Sequence, residues 1–97
     1  MGYQNAARAL NADVPYKAKV VLIAMALHAL DPGPGVKDPL HYYAGWPLLA
    51  AALGYPDYTE AAERSLARAI STLVDKGAIK AVDRASGGAR VYLLTYA

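Results

Sequence analysis

Trp46-Pro47-Leu48-Leu49-Ala50-Ala51-Ala52-Leu53-Gly54, followed by Tyr55-Pro56-Asp57-Tyr58 and then Thr59-Glu60-Ala61-Ala62-Glu63-Arg64-Ser65-Leu66-Ala67-Arg68-Ala69-Ile70-Ser71-Thr72-Leu73-Val74-Asp75-Lys76-Gly77, is the stretch that decides how this chain folds. It reads as a short helix, a turn and a long helix. The long helix is punctuated at both ends. Asp57-Tyr58-Thr59-Glu60 after Pro56 offers a capping box, and Lys76-Gly77 supplies a cation and a C-terminal glycine. Between them Ala62, Leu66, Ala69, Ile70 and Leu73 recur at offsets of three and four, one apolar stripe for packing on a core. At about 100° per residue the opposite face carries Arg64, Arg68, Ser71 and Asp75. Glu60 and Ala67 lie to one side of that face, and Ser65, Thr72 and Lys76 to the other.

Downstream, the runs 78–84 and 90–96 are rich in β-branched, aliphatic and aromatic residues and are joined by Ala85-Ser86-Gly87-Gly88-Ala89. They read as two antiparallel strands, since the glycines permit the positive φ angles of a tight connection. The second strand is apolar on both faces, Tyr92, Leu94 and Tyr96 on one and Val91 and Leu93 on the other, so period alone leaves its core side open. Upstream, residues 4–10 suit a short helix, Asn11-Ala12-Asp13 ends it or caps the next, and a second helix runs from near Pro15, in its first turn, to about Leu30. Val20 to Leu30 is apolar nearly all round, so either the N-terminal segment folds over it or a second copy of the chain does; a homodimer is the expectation. His28 reads as a helix-end or core histidine without a ligand role. The segment 31–39, with three prolines and two glycines, is a loop. His41-Tyr42-Tyr43-Ala44 suits a short strand beside the hairpin, and the Trp46 ring suits the junction between helices.

At 97 residues the chain is expected to be one domain, and with 56% hydrophobic and 19% charged residues it is globular rather than disordered. No cysteine is present, which excludes a disulfide scaffold and a cysteine-ligated zinc site and suits a cytoplasmic protein. The most apolar run, Val20 to Leu30, is far shorter than the roughly 20 residues needed to span a bilayer, so no membrane association is expected. Abundant alanine, eight tyrosines and no phenylalanine point first to GC-rich coding rather than to function. The net charge of +2 argues against coating nucleic acid by charge alone. Its distribution is uneven. Up to Thr59 four basic residues balance four acidic ones, whereas from Glu60 onward six basic residues face four acidic ones. Paired histidines at ligand spacing, a phosphate-cradling glycine loop and a buried carboxylate pair are all missing, so a non-enzymatic protein without cofactor or metal is expected.

The runs Val20 to His28, Trp46 to Gly54, Arg64 to Ile79 and Val91 to Leu94, in that order, resemble the winged helix-turn-helix proteins of phages and actinobacterial mobile elements, namely small regulators and the N-terminal domains of replication initiators. The resemblance covers about residues 15 to 96, and it is carried by the order of the motifs more than by any one of them. It implies an α+β, mainly α, winged helix-turn-helix fold with a small antiparallel β-hairpin wing. The N-terminal helices and loop would occupy 1–45, the helix-turn-helix 46–77 and the wing 78–97, with no second activity expected beyond the wing strand.

It also implies sequence-specific binding of double-stranded DNA by a regulator. The helix from about Thr59 to Lys76 enters the major groove, Arg64 and Arg68 meet guanine edges or backbone, and Arg84 and Arg90 at the hairpin tip hold adjacent phosphates. Ser65, Ser71 and Thr72 are further phosphate or base partners, and Tyr55 and Tyr58 can donate to phosphates from the turn. One module buries limited surface, so specificity calls for a dimer on paired half-sites. The segment 55–61 departs from the three- or four-residue turn of the compact motif. Either the long helix begins early, bringing Glu60 and Glu63 to the end that meets bases, or the turn is enlarged. Those glutamates and the small net charge favour a second expectation, a module that binds a host or phage protein.

Overall fold

The structure, a computed structural model, describes residues 3–29, 35, 40–42, 45–82 and 91–95. Among them the order is α1 (Tyr3–Leu10), α2 (Tyr16–His28), β1 (His41–Tyr42), α3 (Trp46–Ala52), α4 (Glu60–Asp75), β2 (Ile79–Val82) and β3 (Val91–Leu94). The architecture is α+β and mainly helical, with a small antiparallel sheet of strand order β1-β3-β2. No helix among the described residues is long and apolar enough to cross a membrane.

α4 buries the stripe read from its sequence, Ala62, Leu66, Ala69, Ile70 and Leu73. Its start differs from the expected capping box. Thr59 is the N-cap, its Oγ1 accepting from the Ala62 amide at 3.2 Å, so the position three residues after the cap is an alanine that cannot reciprocate. Asp57 instead belongs to the turn, where its carbonyl accepts from the Thr59 amide at 3.0 Å. At the other end Lys76 is the C-cap and Gly77 takes φ 74°, a left-handed conformation open to glycine at little cost, so the Ala78 amide closes back on the Leu73 carbonyl at 2.9 Å. α3 stops at Ala52 and α4 begins at Glu60, so the connection is longer than a compact turn and Glu60 and Glu63 also stand in the first turn of α4, features of both alternatives read from the sequence.

The sheet joins the end of the chain to its middle. β3 lies centrally, with Tyr92 opposite both Tyr42 and Ala81, and Leu94 opposite Ile79. Tyr92, Leu94, Ile79 and Tyr42 belong to the core, so the face left undecided for β3 is the one carrying Tyr92 and Leu94; Val91 is also buried, outside that cluster. Among the described residues β2, from Ile79 to Val82, pairs with β3, from Val91 to Leu94, and the rest of the expected hairpin, 83–90 and 96, lies outside the described residues. Thr95 then ties the sheet to α4, its Oγ1 donating to the Gly77 carbonyl at 2.7 Å and its amide to the Ala78 carbonyl at 2.9 Å.

α2 buries Ala18, Val21, Leu22, Ala24, Met25 and Ala26, an arc too wide for one neighbour. α1 supplies the second cover. Ala9 is fully buried against it, and the buried Asn5 donates from Nδ2 to the Ala29 carbonyl at 3.1 Å just past the last turn of α2. Lys19 Nζ reaches the Leu10 carbonyl at 3.1 Å, placing a cation on the C-terminal end of α1. Of the two covers considered from sequence, the N-terminal segment is therefore in place within one chain. Pro15 is the N-cap of α2 rather than a first-turn residue, and the helix ends at His28, where Nδ1 bonds the Ala24 carbonyl at 2.9 Å.

Candidate functional site

The outer side of α4 is open along its length, with Glu60, Arg64, Ala67, Arg68, Ser71 and Asp75 exposed. One flank forms the wall of a groove of ≈ 530 Å³, whose other wall is the start of α2. Pro15, Lys17 and Ala18 face Ala61, Arg64, Ser65, Arg68, Ala69 and Thr72 across it, and Tyr55 adds an edge from the α3–α4 connection. Lys17, Arg64 and Arg68 give the lining its charge, and among the described residues no carboxylate lines it. Glu60 and Glu63 occupy the first turn of α4 outside the groove, where their charges also favour the helix through its N-terminal dipole.

Lys19 donates to the Leu10 carbonyl. Among the described residues no hydrogen bond or ion pair holds the side chain of Lys17, Arg64 or Arg68. Three hydrated cations thus converge on one concave surface, which favours an anion with several acceptor oxygens. The first turn of α2 opens on the same groove, and Pro15 gives it no side-chain cap.

The sequence-read candidates divide into groups. Arg64, Ser65, Arg68 and Thr72 are brought together, together with Tyr55. Ser65 and Tyr55 are half-buried, and Tyr55 also packs against the core. The Thr72 hydroxyl donates to the Arg68 carbonyl at 3.0 Å, so while that bond holds it offers a ligand only lone pairs, which a phosphate cannot use. Ser71 is exposed on α4 but does not line the groove, and Tyr58 is exposed in the connection between α3 and α4. Arg84 and Arg90, assigned to the hairpin tip, lie outside the described residues. Lys17 is the residue that sequence reading missed. Nothing local marks it, because its proximity to Arg64 and Arg68 arises only when α2 packs on α4.

Two aromatic residues expected to be structural are engaged inside the fold. Trp46 Nε1 donates to the Tyr92 hydroxyl at 3.0 Å, pinning the start of α3 to β3. Tyr42 is fully buried, its hydroxyl donating to the Gly45 carbonyl at 2.7 Å, and burial pushes its pKa up to about 12. The His28 ring meets Tyr42 edge-on, with centroids 6.4 Å apart. No group of three or more histidine, aspartate or glutamate side chains suited to a metal occurs among the described residues.

No family model, curated protein or solved structure matches the chain.

Proposed function

We propose that this chain is a winged helix-turn-helix protein that binds double-stranded DNA sequence-specifically through α4, as a regulator of a phage or mobile element. The observation that carries the reading is the open face of α4, with Arg64 and Arg68 unpaired among the described residues, on a helix whose other side is fixed to a core. The order α2, β1, α3, α4, β2, β3, with β1 paired to β3, is compatible with a winged helix and supports the same reading. α4 enters the major groove, and Arg64 and Arg68 meet base edges or backbone. Two copies occupy paired half-sites, since one module of this size contacts few base pairs.

Fluorescence anisotropy of random and genomic duplexes at several salt concentrations tests it. The expected slope of log affinity on log salt lies between about −2 and −6, roughly that many phosphates neutralised per pair of copies. Arg64→Ala and Arg68→Ala are expected to weaken binding by about 1–3 kcal/mol each where the arginine is bidentate to a base, and less where it touches phosphate alone. Absence of binding at low salt would overturn the proposal. The specific observation favouring a protein partner instead is the pair Glu60 and Glu63 at the exposed start of α4. Capture of a partner with a flat salt response, without affinity for duplex, would support that second reading.

A further inference from the structure

Lys17 lies outside the helix-turn-helix segment, on the first turn of a helix otherwise occupied with the core. Its side chain nevertheless shares a groove with Arg64 and Arg68. On α4 the two arginines and the two first-turn glutamates are separated, the arginines lining the groove and the glutamates left outside it. Arg64 and Arg68 project from the outward side of α4 and also line the groove, whose other wall is a second helix carrying Lys17. A sugar–phosphate strand, one residue-thick and charged along its length, suits a cleft between two elements better than the broad edge of a base pair does.

We infer that the groove between the start of α2 and the flank of α4 is a backbone-phosphate site, in which Lys17, Arg64 and Arg68 together grip one DNA strand. This rests on the DNA-binding reading above and narrows it: the two arginines hold backbone rather than guanine edges, and Lys17 becomes part of the interface. The ligand chemistry is a phosphodiester with its free oxygens, and its source is the duplex backbone. Arginine meets such oxygens with two parallel donors and lysine with a compact charge, so the three tolerate any sequence. Ser71, exposed on α4 and outside the groove, is left to face the bases.

The test compares Lys17→Ala, Arg64→Ala and Arg68→Ala with Arg8→Ala, an exposed residue of α1 outside the groove that removes the same unit of charge. Each groove variant is expected to weaken binding to random and to specific duplex by the same factor and to make the salt slope shallower by about 1. Arg8→Ala is expected to leave both unchanged. Lys17 is exposed and makes no bond in the fold, so circular dichroism of its variant should match that of the parent. An unchanged affinity and slope for Lys17→Ala, with binding lost in the arginine variants, would overturn this inference while leaving DNA binding intact. Loss confined to the specific duplex in the arginine variants would also overturn it, by returning them to base edges. Inorganic phosphate replacing chloride at constant ionic strength provides a further arm. Competition that vanishes in Lys17→Ala, without any change in its duplex affinity, would assign the groove to free phosphate instead. No duplex binding by the unaltered protein would sink both readings together.

Discussion

At the scale of single residues, what fixes the middle of this chain is a set of aromatic side chains whose polar ends are satisfied within the fold. Tyr42 and Tyr92 face one another across β1 and β3, Trp46 bonds Tyr92, and Tyr42 bonds the Gly45 carbonyl. Gly45 holds φ 87°, a left-handed value that a side chain rarely adopts, and so lets the chain turn from β1 into α3. Tyr42→Phe should cost about 1 kcal/mol near neutral pH, since it deletes a buried donor and strands its acceptor. The pH dependence follows from the raised pKa of about 12 against an unfolded value of 10.0. A tyrosine ionises more readily in the unfolded chain, so its contribution is complete below pH 10 and is lost as pH rises through 12. Urea unfolding of the parent and of Tyr42→Phe should therefore show a gap favouring the parent at pH 8 that closes and reverses before pH 12. A constant gap across that range would mean that Tyr42 is not held as a buried neutral phenol. The structural role of Trp46 was legible as a large ring at a helix start; its partner was not, because Tyr92 comes from a strand far along the chain.

At the scale of elements, α4 was almost wholly legible, because its stripe, its C-terminal glycine and its length are all local signals. The cap is the exception, since the sequence reads as a box opening at Asp57. Thr59 is a cap residue of the same kind two positions on, and it is the one in place, worth about 1 kcal/mol. The consequence is that Glu60 and Glu63 stand in the first turn, where they stabilise the helix by up to about 1 kcal/mol each and oppose an approaching phosphate strand. If α4 binds DNA as proposed, one pair of charges acts in opposite directions on folding and on binding. Replacing both, Glu60→Gln with Glu63→Gln, should lower the midpoint of thermal unfolding slightly and raise duplex affinity at low salt, by roughly fivefold per glutamate at most. The affinity gain should shrink as salt is added. Anisotropy titrations beside melting curves check both directions at once, and a fall in affinity would instead make the glutamates part of the binding surface, as a protein-docking module requires.

At the scale of the whole molecule, sequence reading arrived at the α+β, mainly helical architecture, including the short strand at His41–Tyr42 that pairs with β3. It did so because helix and strand periods, breakers and caps are encoded within a few residues of where they act. The candidate site was only half legible for the opposite reason. Arg64 and Arg68 can be placed on an outer face from α4 alone, but the second wall of their groove comes from α2, and no pattern within either helix says that Lys17 will meet them. The same limit applied to the apolar circumference of α2, which could be covered from within the chain or by another copy. α1 covers it, through the buried Ala9 and the Asn5–Ala29 bond, and this changes what is expected of association. If α1 provides that cover, the full chain should be monomeric without DNA at micromolar concentration and should pair only on adjacent half-sites. A chain beginning at Asp13 should lose stability, because the α1-facing apolar side of α2 becomes hydrated and the Ala29 carbonyl loses its donor. It should also self-associate as its concentration rises, burying that face against a second copy. Sedimentation velocity of both chains, with and without a duplex carrying two half-sites, separates the possibilities. A full chain that is already dimeric without DNA would show that a surface other than the one α1 covers holds two copies together, and the exposed Leu27 and Tyr16 of α2 would be the first places to look for it.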